Sequence, residues 1–370
     1  NGIPFFTDTT NNSMYTHDVS GTDDSAAQNT AYGFQALDAI TTGDDNTAIG
    51  FAAGSALNTG NSNTLVGRAA GYTLNLGSQN IAIGVSALYS EDGHGKNIAI
   101  GYEALYHQDA GADAYNVAVG HQAGKATTTG TNNTLIGAFA GDALTTGTYN
   151  VAIGRSALTT EDAHGYNVAV GAFALLNQDA GADAHNTAVG YAAGTNVTTG
   201  VENTIVGGLA GDALTTGARN TALGYQALSS EDTGGRNVAI GYQTLLNLNH
   251  DAYGYNVATG YSAGKEITTG IANTLIGGLA GDALTTGSSN TAVGYQALST
   301  EDAGGASVAV GYQALATQDG GDTFNTALGY RAGYLIQTGF HNTIIGGLAG
   351  DALTTGSGNI AIGYEALSTE

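Results

Sequence analysis

The chain contains no cysteine and no tryptophan, and only one proline (Pro4) and one methionine (Met14). Without cysteine it can form neither a disulfide nor a thiolate metal site, and its redox compartment is left open. Cationic side chains are also scarce: 8 Lys and Arg stand against 31 Asp and Glu, a formal charge of −23. Such a chain repels phosphate backbones and cannot assemble a basic stripe, so nucleic acid is not an expected partner. Only 11% of residues are charged and 42% are apolar, which is too hydrophobic a balance for a disordered polyelectrolyte. No apolar run approaches the roughly 18 residues that span a bilayer, because Gly or a polar residue interrupts every few positions.

What the chain has in excess is glycine, 59 of 370 residues, and the glycines recur with a period. A unit beginning at Asn29 returns at Asn46, Asn63, Asn80 and Asn97 and continues to Asn359, giving twenty copies. Most copies are 17 residues long; those starting at Asn97, Asn167 and Asn237 have 19, and the one at Ser307 has 18. Copies fall into groups of four, a 70-residue superperiod that carries Asn46 onto Asn116, Asn186 and Asn256. Near-identical units of this size indicate a solenoid rather than separate globular domains.

Within the unit, position one is Asn in nineteen copies, position two is Thr, Val or Ile in all, and position five is Gly in all twenty. Position four is Ile, Val or Leu except at Tyr32 and Thr259, and position eight is Ala except at Thr244. A short β-branched run closed by an obligatory Gly reads as a strand ending in a turn, so the fold class is all-β: a parallel β-roll or β-solenoid of about twenty coils of 17–19 residues. The structural repeat is carried by pairs such as Asn116 and Gly120, Asn133 and Gly137, Asn150 and Gly154, and Asn167 and Gly171. Stacked Asn side chains are expected to form an amide ladder along the coils. Position nine alternates in pairs, Gly54 and Gly71 and then Leu88 and Leu105, so that two narrow coils should follow two fuller ones.

Side chains alternate faces along a strand. Positions two and four are therefore expected to line the inside of each coil and position three the outside. Position three is also apolar, Ala in most copies and Leu65, Leu135, Ile205, Leu275 and Ile344 in the rest. On an outer face this stripe would need cover, and a second copy of the chain is the economical source, which makes those five residues the expected self-association surface.

The run Ser307-Val308-Ala309-Val310-Gly311, followed by Tyr312, Gln313 and small Ala314, resembles the head repeats of trimeric autotransporter adhesins of the YadA type. Asn167-Val168-Ala169-Val170-Gly171 is similar with Asn in first place, and NTAIG-type repeats of phage tail fibres are similar too. The resemblance covers residues 29–370 and implies a left-handed parallel β-roll, usually a homotrimer, with an adhesive or shaft role. The family's head coils are shorter, so the extra residues here are expected in longer loops. No heptad pattern for a coiled-coil stalk occurs, so anchorage to an outer membrane does not follow.

Residues 1–28 lie outside the repeat and hold Pro4, Met14 and the pair Phe5-Phe6; they are expected to cap or dock on the first coil. The repeat stops within its twentieth copy, and the open strand edge there is expected either to continue into further chain or to dock head-to-tail on another copy.

Acidic pairs recur in the loops at Glu91-Asp92, Glu161-Asp162, Glu231-Asp232 and Glu301-Asp302. One coil later come Asp109 and Asp113, Asp179 and Asp183, or Asp319 and Asp322. Glu91, Asp92, Asp109 and Asp113 are a set of oxygen ligands that could hold Ca²⁺. The GGxGxD signature of calcium-binding rolls is missing, and the simpler expectation is solvated acidic loops with no metal and no cofactor. His94, His107, His164 and His185 beside these acids are expected as ordinary surface histidines. Repeated carboxylates along an open solenoid do not make the single enclosed pair of a glycosidase, and no nucleophile triad or P-loop is present, so no enzyme is expected; a polysaccharide-degrading tailspike is the remote alternative. The Thr-Thr-Gly steps at Thr145, Thr215, Thr285 and Thr354 read as turns rather than a flat ice-binding row. Tyr225, Tyr242, Tyr295 and Tyr312 share position six and offer surfaces on which a sugar could stack. The expected function is thus a structural fibre or adhesive head, extracellular, on a cell surface or on a virion fibre. Its partners would be its own copies, as a trimer or a head-to-tail filament, with a glycan or host receptor as the alternative.

Overall fold

A computed structural model describes residues 5–16 and 24–369. They form a parallel β-solenoid with one three-residue strand per coil, and no helix occurs among them. The chain divides into two compact units, Asn1–His185 and Asn186–Glu370. The first holds nine coils, from β3 (Thr30–Tyr32) to β11 (Val168–Val170); the second holds eleven, from β12 (Thr187–Val189) to β22 (Ile360–Ile362). Within each unit neighbouring strands pair position on position: Val117 faces Thr134, which faces Val151, which faces Val168. In the second unit Thr187 faces Thr204, which faces Thr221.

The turn after each strand needs glycine. Gly120 has φ +146°, and a β-carbon there would lie 2.4 Å from the carbonyl oxygen of Gly137 in the next coil. Position-five glycines therefore stack backbone on backbone, a packing no side chain permits. Positions seven, nine and seventeen also turn left-handed although most are not Gly, as at Gln122 (φ 55°), Leu158 (φ 53°) and Tyr149 (φ 58°). Each such residue carries local strain, which the hydrogen bonds between coils hold in place.

This curl decides which strand face is the inside, and it reverses the expectation from alternation. All twenty position-three residues are buried, at 0–2% exposure, while every residue at positions two and four is half-buried or exposed. Leu65, Leu135, Ile205, Leu275 and Ile344 are fully buried within the single chain, so they are core and not a self-association surface. A three-residue strand offers only one residue to one of its faces. The left-handed turns bring that residue together with positions eight, nine and twelve around a thin interior.

The interior conserves volume by exchange. Where position three is Leu, position nine is Gly both in that coil and in the one before it: a β-carbon on Gly54 of the preceding coil would lie 2.6 Å, and one on Gly71 of the same coil 2.9 Å, from the δ-carbons of Leu65. Where position three is Ala in a coil and in the one after it, as at Ala82 and Ala99 and then Ala118, buried Leu88 and Leu105 fill the space. This is the physical content of the four-coil superperiod.

The Asn column is buried and forms a ladder, but mostly between side chain and backbone. Asn116 Oδ1 accepts from the Asn133 N–H (2.8 Å), and Asn133 Oδ1 from the Asn150 N–H (2.9 Å). Their Nδ2 groups donate across the coil to Gly130 O (2.7 Å) and Gly147 O (2.8 Å). At the amino end, β1 (Phe6–Asp8) and β2 (Ser13–Tyr15) form an antiparallel hairpin, and β2 lies parallel to β3 with Met14 opposite Thr30. Ser13 Oγ accepts from the Asn29 N–H (3.1 Å), taking the ladder place of an Asn oxygen. Pro4 lies outside the described residues.

Candidate functional site

Position twelve is an interior column, and its occupants explain where the loop acids go. Leu57, Leu74, Leu144 and Leu214 occupy it in some coils, and Glu91, Glu161, Glu231 and Glu301 occupy it once per superperiod, all at 0% exposure. The expected solvated loops are therefore corrected: the Glu of each pair is core, whereas Asp92, Asp162 and Asp302 beside three of them are exposed. Buried Gln108, Gln178 and Gln318 follow one coil later in the same column and were not singled out from sequence. Counting eleven residues on from each Asn, in register with Leu57 and Leu74, is the signal that finds them.

Burial disfavours the charged form of each Glu. It pushes Glu91 and Glu231 up to about 7, against the opposing pull of backbone N–H donors at His94 and at Gly234 and His250 respectively. Burial likewise raises Glu161 and Glu301 above the ordinary carboxylate range. Each carboxylate caps its own turn: Oε1 accepts the N–H three residues on, at His94 (3.1 Å), His164 (3.1 Å), Gly234 (2.7 Å) and Gly304 (2.7 Å).

The four Ca²⁺ candidates are not gathered as a set. Asp113 is held by Lys96 Nζ at 2.5 Å, and that ammonium keeps its carboxyl below the usual range. Glu91 stays in the interior, and Asp92 and Asp109 are exposed. Among the described residues the groups close enough to share an ion lie in other copies: Glu161, Asp162, His164 and Asp179, and Glu301, Asp302 and Asp319. His164 Nδ1 is 3.3 Å from Glu161 Oε1, while His185 stacks on Tyr166 (centroids 5.1 Å) and His107 meets the Tyr106 ring edge-on. The Thr corner is tied between coils, Thr145 Oγ1 and Thr215 Oγ1 donating to the carbonyls of Asp162 (2.8 Å) and Asp232 (3.0 Å).

The outer strand face carries aliphatic side chains at position four, with Ile49, Ile83, Ile136, Leu223, Ile276 and Leu328 36–48% exposed. Beside it the position-six tyrosines stack coil on coil. Tyr225, Tyr242 and Tyr261 have centroids 5.7 and 5.4 Å apart, and Tyr295, Tyr312 and Tyr330 have them 5.6 and 5.3 Å apart. All six rings are exposed, so the expected stacking residues do form flat aromatic ladders open to solvent.

Comparison with known proteins adds no assignment. No protein-family model matches the chain, and no curated protein matches it.

Proposed function

We propose that this chain is a non-enzymatic structural or adhesive β-solenoid that acts extracellularly, on a cell surface or a fibre, and associates with copies of itself through its outer strand face. The observation that carries the reading is the uncovered stripe at positions two and four. Every strand from β3 to β22 contributes β-branched or aliphatic side chains to it, in register within each unit, and each of these residues is half-buried or exposed in the single chain. Isolated exposed aliphatics are ordinary, but a stacked row is the feature of a surface that is covered in use. Strand-to-strand register makes the row straight and repetitive, which suits another copy with the same spacing.

Sedimentation velocity tests the association. The unaltered chain should run as an oligomer, and Ile136→Lys with Ile276→Lys should run as a folded monomer, because Ile136 and Ile276 are exposed enough for a lysine to reach solvent in the single chain while the charge breaks an apolar contact. A monomeric unaltered chain at tens of micromolar sinks the proposal.

The tyrosine ladders support a second reading, recognition of a glycan or surface receptor. Flat, exposed, amphipathic rings at regular spacing match the faces of a linear sugar chain. Binding on a glycan array that disappears with Tyr242→Ala and Tyr312→Ala supports adhesion, and binding indifferent to both changes removes the ladders as its basis.

A further inference from the structure

We propose that Glu161, Asp162, His164 and Asp179 form a binding site for one divalent transition-metal ion of the Zn²⁺ or Mn²⁺ type, which clips two successive coils together. One ligand atom from each residue lies within 4.8 Å of every other. Ligands of a tetrahedral ion with bonds of about 2.1 Å stand about 3.4 Å apart, so the most distant pairs must approach by about an ångström, which side-chain rotation of the exposed Asp162 and Asp179 supplies. Glu161, Asp162 and His164 come from positions twelve, thirteen and fifteen of the coil that starts at Asn150. Asp179 comes from position thirteen of the next coil, and the ion bridges the two.

A second observation singles out this copy. The Glu161 side chain is fully buried, and its Oε2 has no hydrogen-bond partner, while its Oε1 takes the His164 N–H at 3.1 Å. A buried carboxylate oxygen without a donor is costly, and a metal ion bound to it would relieve that cost. The same oxygen is satisfied in all three equivalent copies: Glu91 Oε2 by Asn97 Nδ2 (3.4 Å), Glu231 Oε2 by the His250 N–H (3.4 Å) and Glu301 Oε2 by Gln318 Nε2 (3.0 Å). The ligand set differs in two of the copies; the Glu91 copy has the same residue types in Asp92, His94 and Asp109, but Asn97 Nδ2 occupies Glu91 Oε2 and the four are not close enough to share an ion. Gly234 and Gly304 stand where His164 does, and Asn249 replaces Asp179 in the Glu231 copy. The Glu301 group thus lacks the imidazole and has both carboxylate oxygens occupied.

The donor set chooses the class of ion. An imidazole nitrogen beside carboxylates suits Zn²⁺ or Mn²⁺ better than Ca²⁺ or Mg²⁺, which prefer oxygen alone. Asp162 and Asp179 are exposed and His164 is half-buried, so the site has a buried floor and an open mouth through which an ion can enter with water ligands.

Isothermal titration of the metal-stripped full chain with ZnCl₂, and separately with MnCl₂ and CaCl₂, tests the site. Zn²⁺ should bind at one equivalent more tightly than Ca²⁺, and raise the melting temperature. His164→Ala and Asp179→Asn should each weaken Zn²⁺ by at least about tenfold, whereas Asp319→Asn, in the Glu301 copy, should leave it unchanged. Asp179 is exposed, and Asn at that position occurs naturally as Asn249, so this variant keeps the fold. Zn²⁺ binding that is equal in the unaltered chain, His164→Ala and Asp179→Asn, or absent from the unaltered chain, overturns the proposal. So does Ca²⁺ binding as tight as Zn²⁺ and indifferent to His164→Ala.

Discussion

Leu135 fills the space that a side chain at Gly141 would need: a β-carbon on Gly141 would lie 2.8 Å from Leu135 Cδ2. The two residues share one volume, and the chain spends it at position three in this coil and at position nine in the coils of Leu158 and Leu175. Leu135→Ala should open a cavity costing about 2–5 kcal/mol. Gly141→Leu should overpack the same place by about 1–3 kcal/mol. Leucine tolerates the backbone there, since Leu158 has φ 53° against 53° for Gly141. The double variant should therefore recover part of the loss, with a coupling of about 1 kcal/mol or more by urea unfolding. Strict additivity of the two changes would contradict the shared volume.

The Asn ladder predicts a larger penalty than its exposed neighbours. Asn133→Ala removes the acceptor of the Asn150 N–H and the donor to Gly147 O, both in the interior. Each orphaned group costs on the order of 1–3 kcal/mol. Hydrogen exchange at the Asn150 amide should accelerate accordingly, and unchanged protection there would show that the ladder bond carries no stability.

The buried glutamates predict an unusual pH dependence. Glu91 and Glu231 are raised from 4.5 to about 7 in the folded chain, so between these values the folded state binds more protons than the unfolded one. Stability from these groups is then complete below about pH 4.5, falls as pH rises, and is lost above about 7. The loss is at most about 3 kcal/mol per group, from roughly 1.4 kcal/mol per pKa unit. Glu231→Gln keeps an acceptor for the Gly234 N–H (2.7 Å), gives up only the long contact from the His250 N–H (3.4 Å), and cannot ionise. Its urea midpoint should exceed that of the unaltered chain at pH 8 and match it near pH 4.5. A midpoint that rises from pH 5 to 8 in the unaltered chain, with Glu231→Gln no better at pH 8, would refute this.

Legibility from sequence differs by residue. Gly120 and Gly137 are readable because an invariant turn glycine in every coil has one physical meaning, and the structure puts them at φ above +130°. Asn116 and Asn133 are readable as a buried ladder, though the partner of each oxygen is a backbone N–H rather than a side-chain amide. Glu161 is not readable as core, because Glu beside Asp in a variable segment has the composition of a loop. Only its register with Leu144, one coil back, places it in the interior.

The period, the all-β character and the turn positions follow from the sequence by itself, since they rest on local rules that repeat twenty times: β-branched residues, then Gly, then Ala. Which face of the strand is the inside was decided by tertiary structure. A three-residue strand is apolar on both sides, so alternation leaves two solutions. The left-handed turns at positions five, seven and nine select one, directing Leu135 and its equivalents inward and leaving Ile136 and its equivalents on the surface. The same curl carries Glu161 under His164 and beside Asp179 of the next coil, a meeting that no local rule contains.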